Sequence, residues 1–109
     1  MAGETWEKLS EEEKEGQIFS QLTLIDLQHA DPSFYAWYQE TKGKTTDAAD
    51  EMRLDAQMVQ KIVQLRQEGR MLLRDELELR AKSMISLDSD AMRKAFQDFA
   101  QDISQPPQP

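Results

Sequence analysis

Apolar residues recur along this chain at spacings of three and four, never in strict alternation, so the pattern predicts helices and no strands. Ile18, Phe19, Leu22 and Ile25 share one helical face, with Leu24 and Leu27 on its flank. The start of that helix is written in Ser10-Glu11-Glu12-Glu13, where the Ser hydroxyl can take the third amide and Glu13 can reach back. A first helix is therefore expected over about 11–28, its acids in the first turn where the dipole favours them. Gly16 weakens it by about 1 kcal/mol against Ala. Asp31-Pro32 then restarts the chain, with Asp31 as N-cap and Pro32 at the first helical position. This second helix is expected to end before Gly43. Residues 43–47 read as a loop, with Thr46 or Asp47 capping the third helix.

From about 47 to 87 the chain holds no Pro and one Gly, Gly69. An unbroken helix of that length would reach about 60 Å at 1.5 Å per residue, whereas a domain of this size has a radius of gyration of about 13 Å. The expectation is one long central helix that either bends near Gly69 or is covered by another chain. Met58, Leu65, Leu72 and Leu79 recur every seven residues along it, with Ile62 and Gly69 at the complementary positions. Asp55, Glu76 and Ser83 interrupt that seam, so it resembles a coiled coil in spacing only. Val59, Val63, Leu73 and Leu77 widen the stripe, as in a helix packed by several neighbours. Met71 falls on the polar side as a large apolar misfit. Arg66, Arg70 and Arg74 form a row of like charges that calls for acidic company, from the chain's own acids or from a partner. Asp88-Ser89-Asp90 caps a last helix to about Ile103, with Met92, Ala95, Phe96, Phe99 and Ile103 on one stripe. The fold class is thus all-α, a small bundle of about four helices: a mobile acidic segment over 1–10, one helical domain over 11–103 and a disordered Pro/Gln tail over 104–109.

Composition narrows the function classes. The chain has 109 residues, a formal net charge of -8 and no Cys, which removes disulfides, thiolate catalysis and Cys-based zinc sites. The charge is uneven: residues 52–87 carry +2, while 1–16 and 17–51 carry -4 each. An acidic chain is repelled by phosphate backbones and anionic lipid, so nucleic-acid and membrane partners are disfavoured. The longest apolar run is five residues, Phe34 to Tyr38, against about 20 for a bilayer span. The first residues lack the basic and apolar regions of a secretory signal, so a cytoplasmic location is expected.

Candidate chemistry is thin. His29 is the single imidazole, and with Asp26 it makes one Asp-x-x-His pair, short of the paired motifs and convergent carboxylates of a bundle metal centre. The Asp88-Ser89-Asp90 turn lacks the Gly and Glu of a calcium loop, having Arg93 and Phe99 instead. No phosphate-cradling Gly loop occurs. The expectation is a non-enzyme without metal or cofactor. The candidate partner-binding positions are Met58, Ile62, Leu65, Leu72 and Leu79 on the apolar stripe, the misfit Met71 on the polar side, and Arg66, Arg70 and Arg74 to choose an acidic surface. Tyr35 and Trp37 join them. Four aromatics in five positions cannot share one core, because neighbours point about 100° apart. Phe34, Trp37 and Tyr38 are expected inside, with Tyr35 half exposed, unless part of the cluster is a docking patch; Trp6 is a similar anchor.

Together these features suggest a helical protein–protein interaction module (an adaptor, assembly factor or dedicated chaperone) that binds an unidentified protein and forms a homodimer through the long helix. The alternative is an acidic, antitoxin-like or nucleic-acid-mimicking inhibitor that occupies a basic site on its target.

Overall fold

A computed structural model of the chain describes residues 8–104. Among these there are five helices and no strand: α1 (Glu11–Ala30), α2 (Pro32–Lys44), α3 (Ala48–Gln67), α4 (Arg74–Met84) and α5 (Ser89–Ser104). The all-α expectation holds. The expectations for residues 1–7, Trp6 among them, and for 105–109 lie outside the described residues.

The caps form as the sequence foretells. The Glu13 amide donates to Ser10 Oγ (3.1 Å) and the Ser10 amide to Glu13 Oε1 (3.3 Å), a reciprocal capping box. Asp31 accepts from the Phe34 amide (3.1 Å), with Pro32 opening α2. Asp47 accepts from the Ala49 amide, and Asp88 from that of Ala91. Two ends run later than expected: α1 continues to Ala30, and α2 passes through Gly43 to Lys44, leaving a three-residue link, 45–47.

The long central helix does not form. It stops at Gln67 and restarts at Arg74. At the break Gly69 adopts φ +74°, the left-handed conformation that closes helices. The Gly69 amide donates to the Arg66 carbonyl (3.1 Å) and the Arg70 amide to that of Leu65 (2.9 Å), the paired bonds of a Schellman motif. The helix thus ends there in place of a bend, and α4 ends at Met84 short of Leu87. The break also corrects Met71. Outside any helix it has no polar side to occupy, and it is buried against Leu27, Ile62 and Leu65.

The chain divides into two compact units, with cuts inside α1 and after Leu72. One comprises residues up to Ile25 and from Leu73 onward. Its buried apolar side chains are Ile18 and Leu22 of α1, Leu77, Ala81 and Met84 of α4, and Met92 and Phe99 of α5. The spacing of four and three from Leu77 to Met84 is that of one helical face. Arg74 lies over Phe19 (6.0 Å) and Arg80 over Phe99 (5.2 Å).

The other unit is Asp26–Leu72, the end of α1 with α2 and α3. Leu27, Ile62, Leu65 and Met71 form its core, with Ala30, Phe34, Tyr35 and Met58 packed against them. The links between α2 and α3 run antiparallel. Asp31 and Phe34 meet Lys61, at 3.0 Å and 5.6 Å, and Tyr38 donates to Asp55 (2.9 Å).

Candidate functional site

The candidate positions scatter once the helix is broken. Ile62, Leu65 and Met71 are core residues of the Asp26–Leu72 unit, and Met58, Leu72 and Tyr35 are partly buried. Their side chains hold this unit together. Leu79 stays 69% exposed on α4. Trp37 corrects the aromatic expectation: it is 43% exposed on α2, its ring tilted 5.5 Å from that of Phe34, while Tyr38 is buried.

The arginine row does not exist as a row, because α3 ends before Arg70 and α4 begins at Arg74. Arg66 Nε donates to the Leu72 carbonyl (3.1 Å). Arg70 donates to the Ala30 carbonyl (2.7 Å) at the C-terminus of α1, where a cation meets the negative end of the dipole. Arg74 pairs with Glu78 one turn on (2.9 Å). Arg66 and Arg70 thus tie down carbonyls around the break.

Periodicity could not reveal two buried polar residues of α1, Asp26 and Thr23. Asp26 is 3% exposed, and its Oδ2 accepts the Leu72 amide at 2.8 Å. Leu72 therefore has both its peptide groups held by side chains, its N–H by Asp26 and its C=O by Arg66. Thr23 is also buried, its hydroxyl returned to the Phe19 carbonyl (2.8 Å). Each lies beside apolar positions of α1, so the sole signal in the sequence is a short polar residue inside a helix where apolar ones are due.

Three groups on the α2–α3 seam are electrostatically tuned. The Asp31 carboxyl is held below its ordinary value of 3.8, chiefly by the Phe34 amide and then by Lys61. Burial pushes the Tyr38 phenol up from 10.0. Lys42, which donates to the Tyr38 oxygen at 3.2 Å, is also raised, through that bond first. The set bolts α2 to α3. His29 stands exposed in the last turn of α1. Among the described residues no three His, Asp or Glu side chains cluster in a way that could hold a metal ion, and no helix is long and apolar enough to cross a membrane.

What the structure does expose is the face of α3 opposite its core contacts. Val59 and Val63, expected to broaden a packed stripe, are 55% and 48% exposed, and Met52 is 72% exposed. Ala56, also exposed, lies between them. At four-, three- and four-residue steps these side chains fall within an arc of about 60° at 3.6 residues per turn. Leu54, Ile62 and Leu65 supply the buried face of the same helix. One helix thus carries two apolar faces, and only one is covered. Beside the open stripe run four exposed amides, Gln57, Gln60, Gln64 and Gln67.

Compared with known protein families, curated proteins and solved structures, the chain matches none.

Proposed function

We propose that this chain is a non-catalytic protein–protein interaction module, of the adaptor, assembly-factor or dedicated-chaperone kind, and that it docks its partner on the outer face of α3. The supporting observation is the exposed row Met52, Ala56, Val59 and Val63. Isolated surface apolar residues are ordinary, but a contiguous row rimmed by polar side chains is what an interaction face presents. The docking surface is thus on the opposite side of the helix from the Leu65–Leu72 seam, because the chain's own α1 and α2 take up that seam.

Affinity capture from the native cell tests this with wild type and the Met52→Glu and Val63→Glu variants. Both substitutions are on the exposed side, so the fold stays intact while a charge enters the docking stripe. A protein retained by wild type and lost from both variants is expected; an identical set of captured proteins would count against the α3 face. The acidic-inhibitor alternative looks to the exposed Glu11 and Glu12. It requires affinity that falls steeply with salt, whereas apolar docking on α3 keeps its affinity.

A further inference from the structure

We propose that the α3 face takes a second copy of the same chain, seated antiparallel; this rests on the reading of that face as a docking surface and names its occupant. The stripe has its large residues at the ends and its smallest near the middle. Rotated end for end about a point between Gln57 and Met58, a second α3 sets Met52 opposite Val63 and Ala56 opposite Val59, each pair occurring twice. Every small residue then meets a larger one. A parallel copy would stack Ala56 on Ala56 and leave a gap, which packed interiors avoid.

Charge points the same way. The whole chain carries -8, yet α3 has three acids, Asp50, Glu51 and Asp55, and three bases, Arg53, Lys61 and Arg66. Two copies therefore bring no net charge together where these helices meet. Antiparallel seating opposes the helix dipoles, whereas parallel seating aligns them. Lys61 faces α2, where it pairs with Asp31 (3.0 Å), and Arg66 bonds the Leu72 carbonyl, so the opposed dipoles favour the orientation while the apolar stripe supplies affinity and register. The glutamine rim is self-matching too: an amide donates and accepts, and a two-fold axis brings like flank to like flank.

A single helical face is a small interface, so the expected dimer is reversible, with dissociation in the micromolar-to-millimolar range. Equilibrium sedimentation of the full chain up to about 0.5 mM should show mass rising from monomer toward dimer. Added salt should favour the dimer by screening the net charge. Val59→Glu should hold the chain monomeric with unchanged helicity and melting temperature. Because the chain has no cysteine, orientation can be read directly. A mixture of Met52→Cys and Val63→Cys chains should crosslink to each other with a short thiol-reactive linker, while Met52→Cys alone should not. A wild-type monomer throughout, a dimer that survives Val59→Glu, or crosslinking of Met52→Cys with itself would each overturn the proposal. The docking reading falls separately, only if Met52→Glu and Val63→Glu also lose no captured protein.

Discussion

Asp31 has two duties at the junction of α1 and α2: it caps α2 through the Phe34 amide and binds Lys61 of α3. Its lowered pKa means the folded state holds the carboxylate more tightly than the unfolded chain does. That contribution is fully present above the ordinary value of 3.8 and is lost as pH falls through the lower folded value. Asp31→Ala should cost about 1 kcal/mol at neutral pH, and the gap to wild type should close in acid. Denaturant melts from pH 7 down to about pH 2 check it; a gap constant across that range would show that the carboxylate's charge is irrelevant. Asp26 anchors the Leu72 amide. Asp26→Ala leaves that N–H without its acceptor and should cost about 1–3 kcal/mol. Asp31 was legible from the Asp-Pro pair it belongs to. Asp26 was not, because its acceptor role depends on Leu72, 46 residues away.

The helices show the same division between local and distant causes. Caps at Ser10, Asp31, Asp47 and Asp88 are set by residues two or three apart; each forms at a position the sequence offers, with Asp47 taking the place it left open between Thr46 and Asp47. The break between α3 and α4 reads in the sequence as no more than a bend, since one Gly inside an apolar heptad pattern costs only about 1 kcal/mol. What decides it is the burial of Met71 and the anchoring of Leu72, neither of which an unbroken helix permits. Two glycines separate these effects. A Cβ added at Gly16 or Gly69 meets nothing within 4 Å, so only backbone preference differs. Gly16→Ala, in the body of α1, should raise stability by about 0.5–1 kcal/mol. Gly69→Ala, at φ +74°, should lower it by about 1–2 kcal/mol. Thermal melts of the two variants should move in opposite directions; stabilisation by both would mean the Schellman turn is dispensable.

For the molecule as a whole, the two facts that matter are its charge and the uncovered side of α3. A chain at -8 repels itself when compact, so added salt should raise the melting temperature of a dilute sample by a few degrees. A fall instead would show that ion pairs such as Lys61–Asp31 outweigh the net repulsion. The division into two units has its own consequence: Leu65→Ala empties the core of the Asp26–Leu72 unit and should cost about 2–5 kcal/mol. Val59→Ala, on the exposed face, should change monomer stability by less than about 0.5 kcal/mol. Chemical denaturation of both variants measures the contrast, and a Val59→Ala loss as large as that of Leu65→Ala would mean the outer face is covered within the chain.

Helicity, caps and the absence of strands among the described residues were determined by the sequence alone, because each depends on side chains within a turn of one another. Which of α3's two apolar faces is buried was decided only by the tertiary structure. Periodicity marks Leu65 and Val63 as equally apolar and cannot say on which side Leu27 and Phe34 will pack. Once the chain reverses at Gly69 and turns Met71 inward, the Leu65 side is closed and the Val63 side is left to solvent.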